Sequence, residues 1–442
     1  MENIKVAIVS LGCAKNRVDA EMMLYKLKEA GFTLEEDPAK AHVAIVNTCG
    51  FIESAKQESI EEIIELGKLK DEGTIKHIVV TGCLAERYKE EIAKELPEVD
   101  CVIGLGANSD IVQTVKNALE GTHTELFPDK KLHCIDGKRI QSTPLHYAYL
   151  RVADGCDNCC SYCAIPLIRG SFHSRKMEDI IDEAKYLAQG GVRELCVIAQ
   201  DTTRYGEDIY GKLMLPELLK ELCKIDGIKW IRILYCYPDR VTDELIDTIA
   251  SEEKIVNYID IPLQHCNGKV LKAMNRRGDK ESLTALINKI RERIPDVVLR
   301  TTLIAGFPTE EEEDFDELAE FAKEIAFERL GCFAYSTEED TPAAQLEQID
   351  PQERKFRADA IMEQQQYTME KYTSSRVGKT IEVLVEGFDR YAECYFGRSY
   401  AEAPEVDPCV FFAAERKVAP GEFVKVHITD TLDCDIIGDL AE

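Results

Sequence analysis

No apolar run in the 442-residue sequence approaches the roughly 18 residues that a membrane-spanning helix needs. The opening stretch MENIKVAIVSLG is apolar only briefly, and it lacks the basic segment and the small-residue cleavage site of a signal peptide. We therefore expect a cytoplasmic protein that does not associate with a membrane and whose first apolar stretch is a β-strand.

Basic residues are scarce compared with acidic ones. The chain has 54 Lys and Arg against 82 Asp and Glu, which gives a formal net charge of −28. Such a surface repels nucleic-acid phosphates and attracts basic partners. Many cytosolic proteins are acidic only because charge keeps them soluble, and the composition does not decide between these interpretations.

Cysteine, by contrast, is abundant, with 17 residues. A reducing cytosol argues against a disulfide framework, and the odd number agrees with that. Clustered cysteines in a cytosolic protein more often bind a metal or act in catalysis.

Three segments of the chain differ in pattern. Residues 1–120 alternate short apolar strands with helical segments, which predicts an α/β domain with a parallel sheet. Residues 142–372 hold six further strand candidates separated by helical pattern, which fit an open, partial (β/α)6 barrel better than a closed barrel of eight. Residues 375–442 change to short strands and turns, which predicts a small all-β barrel of the OB type.

Four cysteines fall within eight positions of the segment GCDNCCSYCAIPLIRG, residues 155–170. Two C-x2-C pairs would offer thiolates for zinc or for redox chemistry, although a second zinc pair usually follows about a dozen or more residues later. A C-x3-C-x2-C interpretation uses the loop trio (Cys156, Cys160 and Cys163) and leaves Cys159 out. Three thiolates around a [4Fe–4S] cluster leave one iron open to a small molecule. The segment follows the first barrel strand, where barrel chemistry is usually placed, and this favours the cluster.

The same segment carries a family resemblance. C-x3-C-x2-C with an aromatic residue before the last cysteine, here Tyr162, resembles the radical S-adenosylmethionine (SAM) superfamily, and the whole segment resembles its methylthiotransferase branch. Further resemblance to that branch lies in SLGCAKNRVDAE, NTCGFIESAKQESI, TGCLAERY, AQDTTRYG, PLQHCN, MNRRG and GFPTE. The tail resembles a TRAM domain, and GRSYAEAPEVD is similar to members that modify a ribosomal protein. The resemblance covers essentially the whole chain. It implies that the loop trio binds a SAM-cleaving [4Fe–4S] cluster and that Tyr162 lies beside the adenine of SAM.

Three cysteines that are distant in sequence, Cys13, Cys49 and Cys83, each follow a predicted strand; we call them the edge trio. Because parallel strands end at one edge of a sheet, we expect the three thiols to lie together there. Three small buried side chains would be the alternative. The resemblance implies that the edge trio binds a second [4Fe–4S] cluster, at which the sulfur to be inserted is held.

Other residues are candidates for contacts with SAM or substrate. Gly190, Gly191 and Glu194 in GGVRE resemble the superfamily's GGE element, which would suit the SAM amino group, although the same letters also describe a helix end before a strand. Polar residues near the ends of later strands are expected to line the barrel cavity, and of these we expect SAM contacts from Gln200, Arg300 and Thr302. The others are Asp201, Gln264 and His265, and Cys266 could belong either to the core or to the cavity.

The resemblance implies insertion of sulfur into the β-carbon C–H bond of an aspartate in the twelfth protein of the small ribosomal subunit, followed by methylation. That chemistry requires SAM, the two clusters and an electron donor. The alternatives are the same chemistry on a tRNA adenosine and a non-enzymatic cluster-binding scaffold. Residues 375–442 contain seven Lys or Arg and fourteen Asp or Glu, so nucleic acid is not the expected direct substrate. Glu402, Glu405 and Asp407 are expected instead to dock a basic ribosomal protein.

Overall fold

A computed structural model describes residues 4–133 and 135–441. The chain divides into two compact units. The first comprises Met1–Ser142, Ala153–Arg175 and Glu338–Thr341, and the second comprises Thr143–Val152, Lys176–Thr337 and Pro342–Glu442. None of the described helices is both long enough and apolar enough to span a membrane.

Helices and strands alternate through most of the chain, and the last segment is built of strands alone. The N-terminal elements are β1 (Lys5–Ser10), α1 (Ala14–Glu29), β2 (Thr33–Leu34), β3 (Val43–Thr48), α2 (Glu53–Asp71), β4 (His77–Gly82), α3 (Cys83–Arg87), α4 (Lys89–Glu95), β5 (Cys101–Ile103), α5 (Ile111–Leu119) and β6 (Thr124–Leu126). The central elements are β7 (Tyr147–Arg151), β8 (Ala153–Asp154), α6 (Ile165–Arg169), β9 (His173–Ser174), α7 (Met177–Gln189), β10 (Glu194–Ile198), α8 (Glu207–Tyr210), α9 (Leu215–Cys223), β11 (Trp230–Ile233), α10 (Asp243–Ser251), β12 (Ile255–Asp260), α11 (Gly268–Ala273), α12 (Lys280–Arg293), β13 (Val298–Ala305), α13 (Glu312–Ile325), β14 (Arg329–Ala334) and α14 (Pro351–Ser374). The C-terminal elements are β15 (Thr380–Asp389), β16 (Cys394–Arg398), β17 (Val410–Ala413), β18 (Phe423–Leu432) and β19 (Asp435–Leu440).

The first unit contains a six-stranded parallel sheet in the order β2-β1-β3-β4-β5-β6. One face packs against α1 and α5, and the other packs against α2, α3 and α4. Every residue of β3 is buried, as expected of a central parallel strand that is covered on both faces. The same unit holds the short antiparallel pair of β8 and β9, which brackets α6 and the cysteine-rich segment.

The second unit contains a six-stranded parallel sheet in the order β14-β13-β12-β11-β10-β7, and a five-stranded closed barrel in the order β15-β16-β17-β19-β18. The predicted fold class is confirmed: a parallel-sheet α/β domain, a partial (β/α)6 barrel and a small all-β barrel. The predicted domain boundaries, 1–120, 142–372 and 375–442, do not coincide with the two units. Segment 153–175 groups with the first unit, and the C-terminal barrel groups with the six strands of the second.

Candidate functional site

The edge trio lies at the carboxyl ends of three neighbouring strands. Cys13 caps α1 shortly after β1, Cys49 directly follows β3, and Cys83 is the first residue of α3 after β4. These strands pair directly, with Ser10 opposite Asn47 and Thr48 opposite Gly82. The sheet therefore brings the three sequence-predicted cysteines to one edge.

Glycines bring the backbone at these strand ends into close contact. A Cβ added to Gly12, which has a φ of 84°, would lie 2.7 Å from both Cβ and Sγ of Cys49. A Cβ added to Gly50 would lie 2.8 Å from the backbone nitrogen of Leu84, beside Cys83. Larger residues at either position would push the edge trio apart, so the glycines keep the three thiols together.

The three thiols differ in electrostatic environment. Desolvation opposes ionisation of the Cys13 thiol, but the charges of Lys15 and Arg169, together with backbone hydrogen bonds from Asn16 and Lys15, lower its pKa. Burial raises the pKa of Cys49, and it raises the pKa of Cys83 to about 12 although Arg169 acts in the opposite direction. The thiols of Cys13 and Cys49 also raise the pKa of Cys83, which agrees with their closeness. Thiolate ligands of a metal must be deprotonated, and a cationic cluster would provide the compensating charge.

The loop trio lies between β8 and α6, and its three members are half-buried whereas Cys159 is exposed. The backbone N–H of Cys163 donates to the carbonyl of Cys160 at 3.0 Å, and the N–H of Ile165 donates to Sγ of Cys163 at 3.5 Å. Cys159 has a φ of 49°, a conformation in which the chain reverses locally. The loop thus exposes Cys159 more than its three neighbours.

Both trios provide three thiols, the donor chemistry of an iron–sulfur cluster with one open iron. Within residues 4–133 and 135–441, no three His, Cys, Asp or Glu side chains converge closely enough to hold a single metal ion. In a cubane each cysteine binds a different iron, so its ligands stand farther apart than those of one zinc ion. The two sets of three thiols fit clusters that each have one open iron.

A buried charged cluster that sequence reasoning missed adjoins both trios; we call Arg169, Asp19, Asp154 and His133 the Arg169 cluster. Arg169 donates to Oδ2 of Asp154 at 2.8 Å and to Oδ2 of Asp19 at 3.0 Å. The ring nitrogens of His133 lie 3.0 Å from an oxygen of Asp19 and 3.0 Å from an oxygen of Asp154. Burial opposes protonation of His133, but the two carboxylates raise its pKa. In the sequence, this cluster is indicated by the charged residues of VADG and LIRG, Asp154 and Arg169, which lie on either side of the loop trio.

The GGVRE residues lie at the amino end of β10. Gly190 caps α7, Gly191 has a φ of 103°, and both precede the strand, whereas Gln200 follows it. Both oxygens of Glu194 accept hydrogen bonds, one from Arg232 at 2.8 Å and one from Arg398 at 2.7 Å, and its side chain is fully buried. The structure thus places Gly190, Gly191 and Glu194 at the edge of the sheet opposite to Gln200, and it gives Glu194 an ion-pairing role.

Other SAM candidates lie where the strands of the second unit end or face outward. Gln200 follows β10 and is half-buried, and Thr302 lies on the partly exposed face of β13. In the sheet, β11 and β12 separate β10, which Gln200 follows, from β13, which carries Thr302. Tyr162, in the loop trio of the first unit, is also half-buried.

Arg300 shares a face of β13 with Thr302, but its guanidinium donates to Oδ1 of Asp407 at 3.1 Å. Asp407 also accepts from the hydroxyl of Tyr258 at 2.6 Å. Arg300 is thus held by the segment that joins β16 to β17, near the amino end of its strand.

Two of the three carboxylates of the acidic segment AEAPEVD, those of Glu402 and Asp407, are buried and do not form the expected docking surface, whereas Glu405 is exposed and its docking role stays a prediction. Glu402 is fully buried and accepts hydrogen bonds from Arg329, Arg376 and Ser399. Glu405 accepts from the hydroxyls of Tyr147 and Tyr149 at 3.1 and 2.8 Å, and the side chain of Asp407 is 4% exposed. The carboxylates bind strands of the partial barrel instead, within the first four residues of each strand.

The remaining polar candidates are held within the second unit. His265 is fully buried, lies 3.3 Å from Glu310 and accepts from the backbone N–H of Asn267. Cys266 is buried, and its thiol donates to the carbonyl of Glu317. Asp201 is also buried and accepts from Arg240, whereas Gln264 has a φ of 72° and bridges to β13. His265 and Cys266 are therefore core residues.

Three family models match successive parts of the chain. The model described as "Uncharacterized protein family UPF0004" matches residues 5–104, that of the "Radical SAM superfamily" matches residues 150–322, and that of the "TRAM domain" matches residues 377–440. A solved structure of the radical S-adenosylmethionine methyltransferase TsrM from Kitasatospora setae, with tryptophan substrate and a SAM analogue bound, has a TM-score of 0.56 at 15% identity. The match covers 77% of this chain and 75% of that one, and at this identity it shows the fold alone.

Curated relatives match over almost their whole length. The ribosomal protein uS12 methylthiotransferase RimO of Thermoanaerobacter sp. (strain X514) is 49% identical over 441 residues, which cover 98% of this chain and 99% of that protein. RimO of Clostridioides difficile (strain 630) is 48% identical and covers 99% of each chain. With this identity along the full chain, the chain belongs to the RimO family of radical SAM methylthiotransferases.

Proposed function

We propose that this protein inserts sulfur into the β-carbon C–H bond of an aspartate of ribosomal protein uS12 and methylates the inserted sulfur. The observation that carries the proposal is the 49% identity to a uS12 methylthiotransferase along the whole chain. The grouping of Cys13, Cys49 and Cys83 at one sheet edge supports it, because a second cluster is what distinguishes sulfur insertion from simpler radical SAM chemistry.

We assign the loop trio as ligands of the SAM-cleaving cluster and the edge trio as ligands of the second cluster. When bound, the clusters supply the electron that cleaves SAM and the place where the sulfur is held. The N–H of Ile165, bonded to Sγ of Cys163, orients one ligand and stabilises its thiolate charge. Cys159 is exposed and stays outside the ligand set.

Within the first unit, the half-buried ring of Tyr162 is proposed as a contact of the adenine of SAM. Within the second unit, Gln200 and Thr302 are proposed to contact SAM; both are half-buried and offer an amide and a hydroxyl for polar atoms. Phe333, opposite Ile304 across β13 and β14, is 57% exposed and gives the same face an apolar wall. An apolar wall excludes water from a reactive radical. Gly190, Gly191 and Glu194 lie outside the proposed SAM site because they stand at the amino end of β10, and Arg300 lies outside it because its guanidinium is held by Asp407.

The proposed substrate also defines partners and location. An electron donor must supply the reducing electron, and uS12 as substrate places the enzyme in the cytoplasm with the ribosome. Charge complementarity between this acidic chain and a basic ribosomal protein would speed their encounter. The buried carboxylates of Glu402 and Asp407 do not contribute to that surface.

An anaerobic assay with SAM, a reductant and sulfide tests the proposal. uS12 and tRNA are offered side by side, and each is examined by mass spectrometry for one added methylthio group. We expect the group on an aspartate of uS12 only. Modification of tRNA alone would mean that tRNA, and not uS12, is the substrate. An iron-loaded protein that cleaves no SAM would indicate a cluster-binding scaffold.

Adjacent cysteines provide a matched control for that assay. Cys160→Ala removes a proposed ligand, whereas Cys159→Ala changes the exposed neighbour. We expect the first variant to lose SAM cleavage and the second to retain it. Equal loss in both variants would contradict the assignment of the loop trio.

A further inference from the structure

The Arg169 cluster connects the backbone segments that flank the two cysteine trios, all within the first unit. Asp19 lies in α1, which begins directly after Cys13. Asp154 lies two residues before Cys156, and Arg169 ends α6, six residues after Cys163. One set of ion pairs thus fixes both ends of the loop trio to the helix that follows the first edge-trio cysteine.

The guanidinium of Arg169 also reaches a member of the edge trio. Its Nη2 lies 3.7 Å from Sγ of Cys83, within hydrogen-bonding distance for sulfur, and 3.5 Å from Oδ1 of Asn16. The amide of Asn16 in turn donates to the backbone carbonyls of Asn47 and Thr48, just before Cys49. Arg169 is therefore linked to the strand ends that carry Cys49 and Cys83.

A buried ion-pair network of this kind is not explained by stability. Side chains of the Arg169 cluster are at most 2% exposed. Replacing buried ion pairs by apolar residues is often neutral or stabilising, so stability alone does not account for these charges. The planar guanidinium carries five N–H donors in a fixed fork, so it can bind two carboxylates and a thiolate at once, which a lysine ammonium cannot do in the same geometry.

We propose that Arg169 is a positioning residue that donates a hydrogen bond to the Cys83 thiolate and so raises the reduction potential of the edge-trio cluster. This inference rests on the proposed function, because it requires a cluster at the edge trio. Donors to ligand sulfurs stabilise the reduced cluster, which carries one more negative charge than the oxidised cluster. Asp19 and Asp154 hold the guanidinium in place through hydrogen bonds, and Asp154 lies two residues before Cys156 of the loop trio.

The test uses the full-length chain with the loop trio changed to Ala, so that only the edge-trio cluster forms. The parent is compared with Arg169→Lys after anaerobic reconstitution, by iron analysis and by a redox titration that follows the electron paramagnetic resonance signal. Arg139→Lys is the matched control, because Arg139 is also buried and pairs with a carboxylate of α1, Glu21. We expect about four irons in all three proteins. For Arg169→Lys we expect the reduction equilibrium constant to fall about tenfold, which for one electron is a negative shift of about 59 mV.

A second variant keeps the proposal testable if Arg169→Lys does not fold. Arg169→Gln combined with Asp154→Asn removes a positive and a negative charge together, so the net charge of the Arg169 cluster is unchanged, and Asp19 keeps its contact with His133. The same negative shift is expected, and a potential equal to the parent's with four irons bound would overturn the proposal. An equal shift in Arg139→Lys would also overturn it, because the effect would then not be specific to the thiolate contact. A parent that binds no iron would instead refute the proposed function, so the two failures are distinguishable.

Discussion

Glu402→Gln is predicted to destabilise the second unit strongly. Burial opposes ionisation of Glu402, but Arg376 and Arg329 lower its pKa from the ordinary 4.5 to about 2. At about 1.4 kcal/mol per pKa unit, the charged form is favoured by about 3 kcal/mol in the folded state. Removing the charge leaves two buried guanidinium groups without their carboxylate, and losses of that kind are typically about 3–5 kcal/mol. We therefore expect the free energy of unfolding to fall by about 3 kcal/mol.

Trp230 provides the assay, since it is the chain's one tryptophan. It lies in β11, 6% exposed, with its ring 4.8 Å from that of Phe423 in β18, so its fluorescence reports on the contact between the partial barrel and the C-terminal barrel. Urea unfolding of the cluster-free, full-length chain is followed at neutral pH. Glu382→Gln is the control, because Glu382 in β15 pairs with Lys229 while both side chains are about two-fifths exposed. An exposed pair of that kind contributes about 0–1 kcal/mol.

The pH dependence checks the same reasoning. Because the folded-state pKa of Glu402 is lowered, its contribution is fully present above pH 4.5 and is lost as the pH falls through about 2. The stability difference between wild type and Glu402→Gln should therefore narrow in that window. The reasoning is refuted if Glu402→Gln unfolds like the wild type and slows only the modification of uS12, as a docking carboxylate would.

Three further variant sets test the site assignments. Changing the loop trio to Ala should halve the iron content from about eight per chain and abolish SAM cleavage, whereas changing the edge trio to Ala should halve the iron content but leave SAM cleavage that is not coupled to product formation. Iron analysis and detection of 5′-deoxyadenosine measure the two quantities. The opposite pattern would mean that the edge trio, not the loop trio, binds the SAM-cleaving cluster. Tyr162→Ala should weaken SAM binding, measured by calorimetry, with the iron content unchanged; an unchanged affinity would argue against the adenine contact. Arg300→Met should lower stability by about 1–3 kcal/mol through the lost contact with Asp407, without changing SAM affinity; loss of affinity at unchanged stability would return Arg300 to the SAM site.

Strand ends were the most predictable part of the site. Short apolar runs such as AHVAIVNTC identify buried parallel strands, and the topology of a parallel sheet then places the cysteines that follow them at one edge. The structure has β1, β3 and β4 side by side, so Cys13, Cys49 and Cys83 follow neighbouring strands. Periodicity and a single topological rule were sufficient for this result.

Charge partners were the least predictable part. Glu194 and Arg398 are 204 positions apart, and Arg300 and Asp407 are 107 apart, so no local pattern reveals either pair. AEAPEVD therefore resembled a free acidic loop, although its carboxylates are matched by arginines and tyrosines on four strands of the partial barrel. The letters GGVRE gave no indication that they would lie at the amino end of β10, whereas Gln200 follows its carboxyl end.

Within the second unit, the contacts with the C-terminal barrel lie near one end of the parallel strands, and some of the proposed SAM contacts lie at the other end. Glu194, Arg300 and Arg329 lie near the amino ends of their strands and bind the segment between β16 and β17 or the strand before it. Gln200 follows the carboxyl end of β10, and Phe333 lies near the carboxyl end of β14. A parallel strand of five or six residues spans roughly 17–20 Å, so side chains at its two ends do not contact each other directly. The C-terminal barrel therefore contacts the partial barrel at the edge opposite to Gln200 and Phe333, and the buried Glu402 and Asp407 at that contact serve the fold.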